Sequence, residues 1–110
     1  MAEPTLSQVF GSNATQDSTT FTISKADLAS VSLTASANNT AESLVVAILL
    51  KAAAYLKDSS QQLDPDIQVT IADSGFPQII TRNNIQYRQV TFNVNLQTVD
   101  TGFVLDPDDY

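Results

Sequence analysis

One segment decides what this chain can fold into: residues 40–58, a helix signal with almost no polar side. Leu44, Val45, Ile48, Leu49, Ala52, Tyr55 and Leu56 recur at i, i+3, i+4 and i+7 spacing and form one broad stripe. Val46, Leu50, Ala53 and Ala54 carry apolar character onto the remaining sides, which only Lys51 and Lys57 interrupt. A helix at the surface of a domain keeps a polar half, whereas one apolar nearly all round is covered from more than one direction. A chain of 110 residues builds a single modest core. One small sheet cannot cover every flank of such a helix, so a second layer or a second subunit is required. Asn39 is the expected N-cap, with Glu42 answering at the third helical position and facing the positive end of the helix dipole.

The segments around this helix alternate. Residues 1–19 read as a partly flexible N-terminal segment, with one helical turn over 4–10 and no periodicity over 11–19. Thr-Phe-Thr-Ile-Ser at 20–24 is a short strand, and Ser24-Lys25-Ala26-Asp27 matches a capping box. Residues 28–34 fit either a strand or the end of a short helix. Pro65 ends any helical continuation, and Ile67, Val69 and Ile71 alternate as a half-buried strand. Asp73-Ser74-Gly75 reads as a hairpin loop that returns residues 76–82 against 67–72. Asn83-Asn84 suits a two-residue type I′ turn, because Asn tolerates positive φ; it pairs Arg82 with Ile85, Ile80 with Tyr87 and Ile79 with Arg88. A long last strand then runs from Ile85 to about Thr98. One sheet face would collect Ile67, Val69, Ile71, Ile79, Val90, Phe92, Val94 and Leu96 against the helix. The apolar phase switches between Tyr87 and Val90, which requires a β-bulge near Arg88-Gln89 or a second apolar face.

The fold class implied is α+β: a mainly antiparallel sheet of three to five strands with one long helix, about 40–58, packed on one face. Residues 20–105 form the single domain and 106–110 an acidic tail.

Charge and composition exclude several functions. Twelve acidic side chains face five basic ones, and Lys25, Lys51, Lys57, Arg82 and Arg88 form no stripe. Nucleic acid and anionic membrane surfaces are therefore not expected partners. No stretch reaches the ~20 apolar residues of a membrane span, and Met1-Ala2-Glu3-Pro4 lacks the pattern of a secretory signal. A soluble cytoplasmic protein is the expectation, and the sequons at Asn13 and Asn38 then read as chance matches.

The chain has no Cys, His or Trp, which removes thiolate nucleophiles, His general bases and zinc fingers. Asp64-Pro65-Asp66 and Asp106-Pro107-Asp108-Asp109 gather carboxylates but lack EF-hand spacing. Glu42, Tyr55, Asp73 and Tyr87 could serve acid–base chemistry, yet capping, packing and turn formation already account for them. Arg82 and Arg88 fall on opposite faces of the expected hairpin, so they form no anion clamp. No catalytic, cofactor-binding or metal-ligating residue is assigned.

The run Ser36-Ala37-Asn38-Asn39-Thr40-Ala41-Glu42-Ser43, the stretch from Arg82 through Leu96 and the Asp106-Pro107-Asp108-Asp109 ending resemble a group of small cyanobacterial proteins. The resemblance spans the later two-thirds of the chain and implies no activity, cofactor or site residue.

What remains is surplus apolar surface. The expectation is a non-enzymatic structural or interaction protein that self-associates, its homo-oligomer contact drawn from Val46, Leu50, Ala53 and Ala54 on the helix. Ile80, Ile85 and Tyr87 on the second sheet face, and Phe103, Val104 and Leu105 before the tail, complete the candidates. Two alternatives stand beside it. One is a small-ligand module or unconventional enzyme with a pocket between helix and sheet near Tyr55 and Phe92. The other is an acidic regulator whose tail engages a basic protein.

Overall fold

Thr40, not Asn39, caps the apolar helix. The computed structural model describes residues 3–98 and 104–110. In it α2 spans Ala41–Tyr55, with Thr40 Oγ1 accepting from the Ser43 amide at 3.1 Å. Asn39 is spent on the preceding loop. Its Oδ1 accepts from the Ser36 amide and its Nδ2 donates to the Thr34 carbonyl, both at 3.0 Å. An amide side chain offers donor and acceptor together, which a loop uses more fully than a helix end does. Leu56 (φ −85, ψ 80) ends α2, and a separate α3 follows over Asp58–Leu63. The expected 40–58 helix is thus broken just before its end.

The N-terminal residues form a first layer on α2. Helix α1 (Leu6–Phe10) opens with a capping box in which Gln8 N donates to Thr5 Oγ1 at 3.2 Å and Thr5 N to Gln8 Oε1 at 2.9 Å. It buries Val9 and meets the expectation of a helical turn at 4–10. Two-residue strands β1 (Thr15–Gln16) and β2 (Phe21–Thr22) pair through a turn closed by Asp17, whose Oδ1 accepts from the amides of Thr19 and Thr20, each at 2.8 Å. Phe21 meets Phe10 edge to face, ring centroids 5.0 Å apart.

Asp27 does not close the capping box with Ser24. Its carboxylate accepts from the Asn13 amide (2.9 Å) and the Asn13 side chain (3.1 Å), tying 11–14 down. Ser24 instead starts a 3-10 helix over Lys25–Val31 that buries Leu28 and stops at Ser32 in the left-handed region. Residues 28–31 are therefore helical and 28–34 hold no strand; the alternation there had mimicked one.

The strands agree with the sequence at one end and depart at the other. Asn83 and Asn84 both take positive φ, 54 and 63. Strand β4 (Gln78–Arg82) pairs with β5 (Ile85–Gln89) in the expected register, Arg82 with Ile85, Ile80 with Tyr87 and Ile79 with Arg88. But β3 (Val69–Asp73) pairs with β6 (Phe92–Leu96), Val69 against Leu96 and Asp73 against Phe92. Asp73-Ser74-Gly75 is not a hairpin loop. Residues 69–96 form one long hairpin about Asn83-Asn84, interrupted by an elbow.

The elbow follows from the two registers. Between the Asp73–Phe92 and Gln78–Gln89 pairs, the outgoing side carries residues 74–77 and the returning side only 90–91. Ser74 N still reaches Thr91 O at 2.8 Å, Gly75 takes φ 117 with its amide on Asp73 Oδ1, and Pro77 has no N–H to give. This interruption accounts for the phase switch between Tyr87 and Val90, and it splits the expected long last strand in two.

The fold is α+β, with its strands shared among three two-stranded antiparallel ribbons rather than one sheet. The core cluster joins Val9, Ala52, Leu56, Ile67 and Ile71, and Ile71 N donates to Leu56 O at 2.8 Å. Of the expected sheet face, Ile67, Val69, Ile71 and Phe92 reach this core. Ile79, Val90, Val94 and Leu96 do not; they are exposed, because the helices cover β3 and leave the rest of the hairpin bare.

Two outcomes test these joints. Gly11 has φ 110, and a Cβ there would overlap the Cβ of Asp27. Gly11→Ala should cost about 2–4 kcal/mol in urea unfolding, from positive-φ strain plus overpacking. The Thr19 amide, then the Thr20 amide, hold Asp17 down at a pKa of about 2 against 3.8 when free. A depressed carboxylate stabilises fully above its unfolded pKa and ceases to do so as pH falls through the folded one. The Thr19 and Thr20 amide resonances should therefore titrate with a midpoint of about 2.

Candidate functional site

The hairpin beyond the elbow is an arm, residues 76–91, and every residue of β4 and β5 is exposed. Direct pairing fixes its faces. Ile80, Ile85 and Tyr87 share one face with Arg82, whose guanidinium lies 4.4 Å from the Tyr87 ring centroid. Ile79, Thr81, Gln86 and Arg88 take the other. Apolar side chains therefore stand on both sides of a ribbon across which no described residue is laid. A two-stranded ribbon of this kind is marginally stable by itself in water, and both its edges present unpaired backbone groups.

The base of the hairpin continues the pattern. Val94 and Leu96 point from the same face as Ile71 and Val69 but lie beyond the reach of the helices, about half exposed. On α2, Val45 is 65% and Val46 54% exposed. Val46 and Leu50 line a shallow groove of about 270 Å³ with Val31 and Leu33 from the edge of the 3-10 helix. Among the described residues, seven apolar ones are buried and fourteen large ones are exposed.

The candidate residues fall into place unevenly. Val46 and Ala54 are exposed, and Leu50 is half-buried in the groove wall. Ala53 packs on the core cluster and offers little outward. Ile80, Ile85 and Tyr87 come together on the arm. Val104 and Leu105 are exposed rather than docked, although the tail behind them is held: the Asp109 carbonyl accepts from Gln68 Nε2 and Thr98 Oγ1, each at 3.2 Å. Phe103 lies outside the described residues. Sequence reasoning missed Val45, Phe76, Ile79 and Val90. Val45, Ile79 and Val90 belong to helix or strand faces expected to be covered; Phe76 is expected only at the start of the return strand, and it is 98% exposed.

Among the described residues, the candidate polar side chains do not come together. Tyr55 and Phe92, the expected lining of a pocket, pack against the core cluster. A polar cleft of about 400 Å³ lies among Glu3, Gln61, Asp66, Gln68, Gln97 and Thr98. Its Gln61 Nε2 is committed to Ile67 O and Gln97 Oε1. Glu42 sits in the first turn of α2, and Asp73 Oδ1 is bonded to the Gly75 amide. Arg82 and Arg88 occupy opposite faces, as the register dictates. Among the described residues, no group of three or more carboxylates could hold a metal ion, and no helix is long and apolar enough to cross a membrane.

The surface is large for the mass. It measures 8195 Å², where a compact monomer of 11.8 kDa exposes about 5,900 Å². The radius of gyration is 16.3 Å against about 13 Å for a compact chain of this length. No family model, curated protein or solved structure matches the chain.

The division between core and arm has a measurable consequence. Ile67→Ala should lower the stability of the dilute chain by about 2–5 kcal/mol, because Ile67 is 1% exposed. Ile80→Ser should change it by less than about 1 kcal/mol. Chemical denaturation of both at low concentration checks the contrast.

Proposed function

We propose that this protein is a non-enzymatic structural or interaction subunit that assembles with copies of itself. The observation that carries the reading is the excess surface of about 2,300 Å² over a compact monomer. Large apolar side chains stand exposed on the arm, on α2 and on β6. Monomeric proteins rarely leave large apolar patches uncovered. A stable interface takes about 800 Å² from each partner, so the excess is ample for one and enters the range of obligate homo-oligomers. The net charge of −7 keeps such a chain soluble before it assembles.

Multi-angle light scattering across the micromolar range tests the reading. A dimer or larger closed assembly is expected, dissociating only on dilution. A monomer throughout would overturn it.

A further inference from the structure

The uncovered surface is of two kinds with opposite charge, and this says how copies would meet. Arg82 and Arg88 are the only charged residues from Ser74 to Val99. The rest of the chain holds all twelve carboxylates against three lysines. Two arms laid together by the face of Ile80, Ile85 and Tyr87 would bring both Arg82 guanidinium groups into one contact, with no acid on either arm to answer them. An arm laid on the body of another copy meets the opposite sign.

The body offers one apolar face suited to an arm. Val45 and Val46 stand exposed on α2, and Val46 opens into the groove shared with Val31, Leu33 and Leu50. Glu42 lies one helical turn before them, on the same side of α2, in the first turn. The arm carries the matching arrangement, with Ile80, Ile85 and Tyr87 flanked by Arg82. An apolar centre with a charge at its rim faces an apolar centre with the opposite charge at its rim.

Resting on the self-association reading, we infer that the arm of one copy docks on the exposed α2 face of a second copy, Ile80, Ile85 and Tyr87 covering Val45 and Val46. The occupant of the helix face is thus the arm of an identical chain. Where two copies exchange arms about a two-fold axis, each buries one face of its arm and its exposed helix face at once, and the assembly closes. The same contact made head to tail would build a chain of copies instead. The elbow at 74–77 sets the direction in which the arm leaves its own body.

The full-length chain tests this in two variants. Ile80→Ser with Tyr87→Ser disables the arm. Val45→Lys with Val46→Lys disables the helix face while improving helix propensity at two exposed positions, so folding is preserved; circular dichroism verifies it. Each variant alone should associate about tenfold or more weakly than the parent. An equimolar mixture should associate across species, since one chain supplies a sound arm and the other a sound helix face. Added salt should weaken the parent's association.

The outcomes separate the two readings. A parent that is monomeric throughout removes self-association itself. A parent that associates while the Val45→Lys, Val46→Lys chain associates equally well shows that the helix face is not the contact, and overturns this inference alone. So does a mixture that stays monomeric where the parent assembles.

Discussion

The packing of Ile67 and Ile71 on Ala52 and Leu56 holds the molecule together, and it grips the long hairpin by one end only. The backbone bond from Ile71 N to Leu56 O fixes the edge of β3 to the end of α2. From that anchor inward, Val9 of α1 completes a small core. From it outward the strands are exposed among the described residues. The broken helix is part of the reason: α3 turns away after Leu56, so no long rod lies across the hairpin. A core this small must leave apolar side chains elsewhere, and the hairpin and the free flank of α2 are where they remain.

Local chemistry was legible in the sequence, and long-range pairing was less so. The Asn83-Asn84 turn needs positive φ at both residues, a demand few residue types meet, and the register beside it followed at once. Asp73-Ser74-Gly75 carried an equally good turn signal but serves as one side of an elbow, because turn residues also suit bulges. The choice between them is made by distant strand partners, Phe92 for Asp73 and Thr91 for Ser74, which no local pattern reports. The phase change between Tyr87 and Val90 was the readable trace of that choice. Capping signals misled in the same way. Asn39 and Asp27 were correctly seen as hydrogen-bonding residues, but tertiary partners claimed Asp27 and a loop claimed Asn39.

The excess of apolar residues was also visible beforehand, while its location was not. Hydrophobic alternation at 90–96 is the same whether a strand faces a helix or faces water. Only the width of the sheet decides, and the sheet here is two strands wide. Val94 and Leu96 thus share a face with buried residues without sharing their burial.

The placement of the elbow has an evolutionary consequence. The two surplus residues sit at the root of the hairpin, whereas the tip is a plain two-residue turn. Inserting or deleting residues in matched pairs beside Asn83-Asn84 would alter reach by about 3.4 Å per pair. The side-chain alternation of the root and every contact of the core would stay as they are. Span is a free variable in this architecture, adjustable by drift in length without any renegotiation of the interior.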